Sequence, residues 1–346
     1  MKSSADNIFV SVIIPEYNGR NKIDTCLKKL DTQTFTHYEV IIVDDYSSDD
    51  SVLLINEKIK RLTHPERFRL ICLSENGRAG GARNRGICEA HGSYILFMDQ
   101  DDHAEPTLLA ELYSKSDDAK VDCILCDIVD KNNKVYQRPS ISIGTVYDKK
   151  LKKEFINCGY VLGMLIKKQI ILDNNLFFPE KRMYEDSLFN CGLFACVQSV
   201  SKVDRALYIR EVDAQSQTAF LNQKKLEDRI QATRWYLKSF KENPKIKDLA
   251  EEINIIAAYY IYASCTWWML CDKTLYSSQM MNTCLHWAKS HPFDWNKLKM
   301  DAVQRGFGKR KISILKIVFD FPFMTKPTAL LLRLFRQLKR KLAHSL

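Results

Sequence analysis

Along the first 130 residues, short apolar runs alternate with amphipathic stretches. β-rich runs recur at "FVSVIIP", "YEVIIVDD", "RFRLICLS", "SYILFMD" and "VDCILCDIV", each bounded by polar or turn residues. Between them the spacing of apolar positions predicts helices over about Arg20 to Asp31, Ser47 to Arg61, Gly80 to Ala90 and Pro106 to Ser116. This alternation is that of βαβ units, so an α/β fold with a Rossmann-like, mostly parallel central sheet flanked by helices is expected. From about Leu226 the pattern becomes long and helical, rich in aromatics, as in "INIIAAYYIYASCTWWMLCD". Tyr and Trp at helical spacing predict a packed core there rather than a ligand box. The expected organisation is an α/β domain at 1–220, a helical C-terminal subdomain at 221–308 and a basic amphipathic tail at 309–346.

Charge sharpens the view of the tail. The chain of 346 residues carries a net charge of +10, and residues 309–346 hold ten Lys or Arg against one acid, Asp320. The rest of the chain is therefore nearly neutral, and nucleic acid is not the expected partner. In the tail, "ISILKIVFDFPFM" and "PTALLLRLFRQLKRKLAHSL" interleave Leu, Ile and Phe with cations, and neither has an apolar run long enough to span a bilayer. Two readings stay open: a basic helix lying on an anionic membrane surface, or a helix packed on the domain with a solvated basic face. The polar start running into strand-like "IFVSVIIP" does not read as a cleaved leader. Eleven cysteines in apolar settings fit a reducing compartment, so a cytoplasmic protein, peripheral at the inner membrane face, is expected. Cys123 and Cys126 in "VDCILCD" lack a second pair at zinc spacing and read as buried strand residues.

In open α/β sheets, ligands sit outside the carboxyl ends of the strands. The polar clusters fall there: "PEYN" after the first strand, "DDYSSDD" after the second, "ENGRAGGARNRG" after the third and "DQDDH" after the fourth. Asp99, Asp101 and Asp102 are the costliest of these. Two unit charges about 4 Å apart repel by roughly 4 kcal/mol at an effective dielectric near 20, so a cation is expected among them. Carboxylates favour hard ions, and Mg2+ or Mn2+ held by one or two of them plus substrate phosphates is the expected arrangement. Asp44 and Asp45 can serve a base or ribose, or cap a helix. The glycines of "NGRAGGARNRG" would let backbone approach a phosphate, with a helix starting near Gly80, although the spacing is not that of a dinucleotide fingerprint. Its arginines can grip a diphosphate. Glu185 and Asp186 in "KRMYEDSLFNCGLF" read either as helix N-terminal carboxylates or as a general base.

Together, "VSVIIPEYN", "VIIVDDYSSDDS", "ENGRAGGARNRGICEAHGSYILFMDQDD", "FFPEKRMYEDSLF" and "LYIREVDAQSQT" resemble, over roughly residues 8 to 218, the bacterial family 2 glycosyltransferases, which are inverting and have a GT-A fold. The resemblance implies that Pro15, Glu16, Tyr17, Asp44 and Asp45 line the nucleotide and that Arg78 and Arg83 hold base or diphosphate. It further implies Asp99 on ribose and metal, Asp101 as principal metal ligand, and Asp186 as catalytic base with Glu185 beside it. Arg210 and Ser216 would close on the diphosphate and acceptor. The implied reaction moves a hexose or N-acetylhexosamine from a UDP-sugar to a glycan or lipid-linked oligosaccharide, as in lipopolysaccharide or capsule assembly. Two departures stand beside the nucleotide: Tyr46 and Arg78 occupy positions where glycine is common. The rivals are a sugar-phosphate nucleotidyltransferase, which "PEYNGRNK" suits poorly, and a non-catalytic scaffold, which intact Asp101 and Asp186 argue against.

Overall fold

The computed structural model describes residues 9–20, 22–139, 152–153, 155–156, 161–211, 221–291 and 293–343. The chain forms two compact units, 1–216 and 217–346.

Among the described residues the first unit is built on a nine-stranded sheet. Its first half takes β1 (Val10–Glu16), β2 (Tyr38–Asp44), β3 (Phe68–Cys72) and β4 (Tyr94–Phe97) in the order β3-β2-β1-β4, all parallel. Strand β2 is buried along its whole length and β1 nearly so, because the connecting helices α1 (Ile23–Asp31), α2 (Ser51–Lys60) and α3 (Arg78–Glu89) join successive parallel strands. That is why these strands read as continuous apolar runs. The order of connection reverses between β1 and β4, which makes a crevice at their carboxyl ends.

The second half is mixed. After the two-residue strand β5 (His103–Ala104) and helix α4 (Leu108–Tyr113) come β6 (Cys123–Asp130) and the short β7 (Val135–Tyr136). They are followed by β8 (Met164–Lys167), α5 (Lys168–Asp173), α6 (Phe189–Cys196) and β9 (Val200–Arg210). Strand β8 is antiparallel to both β4 and β6, and β9 returns parallel to β6. Pattern alone predicts neither β8 nor β9. Four residues are too few to show a period, and β9 carries Lys202, Asp204 and Arg205 in its middle. Lys202 is nevertheless buried, because Asp127 and Asp204 neutralise it at 3.0 and 3.1 Å. Cys123 and Cys126 lie fully buried on β6, as a strand reading requires.

The second unit is helical: α7 (Gln223–Ser239), α8 (Ala250–Ala257), a π-helical segment Ala258–Ser264, α9 (Cys265–Cys271), α10 (Ser278–Ser290), α11 (Trp295–Gln304), α12 (Lys309–Asp320) and α13 (Thr325–Ala343). Tyr262, Trp287, Phe307 and their neighbours form its core, so the aromatic run packs rather than binds. No described helix is long and apolar enough to cross a membrane. The outer face of α13 differs from a solvated basic one. Arg333 and Arg336 turn inward and donate to the carbonyls of Met269, Leu270 and Cys271, which end α9. Leu330, Leu331, Leu334 and Phe335, at helical spacing on α13, are left exposed, together with Phe321 and Phe323 before it.

Candidate active site at the carboxyl edge of the sheet

Because β3, β2, β1 and β4 run parallel, the polar clusters that follow them meet on one edge. The amide of Asp45 donates to the carbonyl of Glu16 at 2.8 Å. The Gln100 side chain bridges the first and fourth clusters, accepting from the Tyr17 amide at 2.9 Å and donating to the Tyr17 carbonyl. No sequence signal marks Gln100, since its role depends on a partner 83 residues away.

Pro15 is half-buried and Tyr17 exposed, whereas Glu16 is buried under the turn it supports. It accepts the Gly19 amide at 2.7 Å, and burial pushes its carboxyl up to about 7. A Cβ at Gly19 would stand 2.3 Å from Glu16 Oε2 and 2.7 Å from Gln100 Oε1, so a side chain there would displace the ends of both. Asp44 accepts the Ser47 amide at 3.0 Å. Asp45 accepts the Gly77 amide at 2.6 Å and that of Arg78 as well, which caps α3, while burial raises its pKa to about 6. Tyr46 and Arg78 have φ of 63° and 57°. Both therefore keep the left-handed backbone that glycine adopts freely, at a cost of about 1–2 kcal/mol each.

Two glycines of α3 allow close packing. A Cβ at Gly86 would meet Ile13 Cγ2 at 2.4 Å, and one at Gly80 the Pro179 carbonyl oxygen at 2.3 Å. Their absence of side chain seats α3 on β1 and lays the 177–186 loop against α3. The Asn84 amide then clamps that loop, donating to the Phe178 carbonyl at 2.9 Å and accepting its amide at 2.8 Å. This brings Glu185 and Asp186 to the edge.

Arg83 joins the two acid groups. It is 5% exposed, donates from Nη1 to Glu185 at 2.5 Å and from Nη2 to Asp99 at 2.8 Å, and lies over the Phe178 ring, itself stacked on Phe189. Where base or diphosphate was expected at Arg83, both ends of its guanidinium meet carboxylates. Asp186 is raised to about 7, by burial first and then by the charge of Glu185, with Arg83 pulling the other way. Asp101 is raised by burial and by Asp99, and lowered by Lys22 and Arg210, which places Arg210 at the end of β9 within electrostatic reach of it. Asp102 is spoken for: its oxygens accept the Tyr208 hydroxyl at 2.7 Å and the Glu211 amide at 2.8 Å. Tyr208 also accepts the Asp99 amide at 3.2 Å, so the whole "DQDD" turn hangs from β9. Ser216 lies outside the described residues.

A half-parallel sheet whose carboxyl edge gathers two groups of carboxylates around one buried arginine has the GT-A architecture. The family model of glycosyl transferase family 2 matches residues 11–177, so the first unit carries a domain of that family. Among its relatives, EpsJ of Bacillus subtilis, described as an uncharacterized glycosyltransferase, is 29% identical over 64% of this chain and 66% of its own length. The poly(ribitol-phosphate) beta-N-acetylglucosaminyltransferase TarS of Staphylococcus aureus is 27% identical over 57% of this chain, which spans only 35% of TarS. The crystal structure of TarS 1–349 in complex with UDP-GlcNAc matches with a TM-score of 0.66 at 17% identity, over 90% of this chain and 92% of that one. A mannosyltransferase from Pyrobaculum calidifontis, in complex with GDP-Man and Mn2+, matches with a TM-score of 0.53 at 16% identity, over 94% and 87% of the two chains.

Proposed function

We propose that the chain transfers a hexose or N-acetylhexosamine from a UDP-sugar to a hydroxyl of a glycan acceptor, with inversion at the anomeric carbon. The observation that carries this reading is Arg83, which holds Glu185 and Asp99 by the two arms of one guanidinium and so sets the Asp186 carboxylate beside the "DQDD" turn. In that arrangement Asp186 takes the proton of the acceptor hydroxyl. The oxygen bonds to the anomeric carbon as the bond from that carbon to the diphosphate oxygen breaks, and UDP leaves with the electron pair. Arg210 faces the charge that develops there, while Asp45 and Tyr17 are the groups offered to the nucleoside.

The donor set fits a divalent ion. Asp99, Asp101, Asp186 and Glu185 lie within electrostatic reach of one another: burial raises Asp101 and Asp186 first, and repulsion from Asp99 and Glu185 adds to it. Among the described residues no three His, Cys, Asp or Glu converge on a point. We assign the protein's share of the shell to one or two carboxylates, Asp101 with Asp99, as Mg2+ and Mn2+ bind when substrate phosphates complete it. When bound, such an ion neutralises the leaving diphosphate. The complexes of the structural relatives with UDP-GlcNAc, and with GDP-Man and Mn2+, support this choice of ligands.

UDP release measured with and without a chelator tests the reading. Transfer and UDP release should vanish with chelator and return with Mn2+, and Asp101→Asn should weaken Mn2+-dependent UDP binding by tenfold or more, on the order of one lost charge-assisted contact. Pyrophosphate as product would assign a nucleotidyltransferase instead.

The acceptor is proposed to be lipid-linked and part of a surface polysaccharide. The exposed apolar face of α13, with Leu331 and Phe335 each 67% exposed, and Phe323 just before the helix, 75% exposed, lie amid a basic segment and suit the surface of an anionic bilayer. Burying one such side chain contributes roughly 1.5–3 kcal/mol. The variant Leu331→Ser with Phe335→Ser should therefore lose at least about tenfold in partition to phosphatidylglycerol vesicles; unchanged sedimentation with the vesicles removes the membrane contact.

A further inference from the structure

The second unit holds a cavity of about 820 Å³ between α7 and α10, within the roughly 300–1,000 Å³ of sites that take a ligand of several rings. Its walls differ in chemistry. Arg234, Lys238 and Lys241, at helical spacing on and just beyond α7, form one wall; Gln279, Asn282 and Thr283 on α10 form the other. Among the described residues no carboxylate lines it.

The three cations are exposed, and none has an ion pair among the described residues. Like charges gathered in a concave place repel one another and focus a positive potential, which an anionic ligand relieves. The facing wall offers different groups. The amides of Gln279 and Asn282 have no hydrogen-bond partner among the described residues, and Thr283 donates to its own helix, to the Gln279 carbonyl, leaving its oxygen to accept. Amides and a hydroxyl in a row match sugar or polyol hydroxyls, which both donate and accept. Trp287 at the cleft is buried with His291 stacked on it, so its indole offers no open face to a nucleobase, and the exposed His286 is the other imidazole in the lining.

We propose that this cleft binds an anionic stretch of the acceptor: a glycan or polyol chain whose phosphodiester or carboxylate groups meet Arg234, Lys238 and Lys241 while its hydroxyls meet the α10 wall. This names the acceptor class for the transferase reading above and rests on it. The reaction itself is untouched by the cleft, which binds without breaking bonds.

The experiment uses the full chain and fluorescence anisotropy with a labelled glycerol-phosphate oligomer, beside neutral dextran, a thymidine oligonucleotide of equal charge and phosphatidylglycerol vesicles. The glycerol-phosphate oligomer should bind more tightly than the other probes. The triple variant Arg234→Ala, Lys238→Ala, Lys241→Ala should weaken it by roughly tenfold or more, three surface charge contacts together, and Asn282→Ala should weaken it further. Lys238→Glu, a single surface change, provides the same test should the triple variant fold poorly. Mn2+-dependent UDP binding, read by calorimetry on the same proteins, should not change. Undiminished oligomer affinity in folded variants overturns the proposal, as does equal binding of the oligonucleotide or a loss confined to vesicles. Absent UDP binding by the parent chain would sink the transferase reading separately, while variant-sensitive oligomer binding would still uphold the cleft as a polyanion site.

Discussion

Replacing Asp186 with asparagine should lower the transfer rate by roughly 10²- to 10⁴-fold, the range that a positioned general base contributes. The amide is nearly isosteric but cannot accept the hydroxyl proton, and it removes a carboxylate that repulsion from Glu185 and burial hold near 7. Mn2+-dependent UDP affinity should be retained, because Asp186 is not among the groups offered to the diphosphate. Single-turnover rates and calorimetric UDP binding on the same protein separate the two effects. Loss of UDP affinity with chemistry intact would show that the base lies elsewhere. The pH profile carries the same signature. A base must be ionised to act, and Asp186 ionises only above about 7, so kcat/KM should climb tenfold per pH unit below that value and level off above it. In Asp186→Asn the limb should disappear.

The parallel half of the sheet was legible because β1 and β2 are covered on both faces, which leaves no polar alternation to confuse the period. Strands β8 and β9 were not, one too short and the other polar in its middle until Asp127 answers Lys202. The acids at the edge could be found from type and position, since three carboxylates at a strand end demand a cation. Their partners could not. The Arg83–Glu185 contact joins residues 102 apart, and nothing local distinguishes an arginine that will be buried from one turned to a phosphate. Likewise Gln100, Asn84 and Tyr208 fix the loops through side chains whose partners lie 83, 94 and 106 residues away. The glycines of α3 could be recognised as a demand for close approach, but not what approaches: Ile13 and the Pro179 carbonyl, each within 2.4 Å of a missing Cβ. The departures at Tyr46 and Arg78 were visible as residue types, and only the backbone explains that the left-handed turn persists beneath them. Of the two readings of the tail, packing on the domain is met by α13, whose arginines reach the carbonyls of α9, while its exposed apolar side chains leave membrane contact a proposal.

Arg83→Met should be the most damaging single change to the fold of the first unit. The guanidinium is 5% exposed and pairs with two carboxylates over a phenyl stack, so its removal strands Glu185 and Asp99 in a medium that solvates charge poorly. Breaking a buried pair from one side costs about 3–5 kcal/mol, and the lower end is expected because Asp99 is 38% exposed and keeps contact with water. Denaturant titration of the first unit's transition should record that loss. Arg83→Lys should recover only part of it, since one ammonium cannot present two parallel arms to two separate carboxylates. The substitution also reaches the chemistry. Arg83 pulls the Asp186 pKa down against burial and repulsion, so without it the base stays protonated to higher pH and the activity limb moves upward from about 7. A variant that loses stability while its limb stays in place would mean that Arg83 braces the loop without touching the electrostatics of Asp186; a shifted limb ties the buried bridge to the reaction it surrounds.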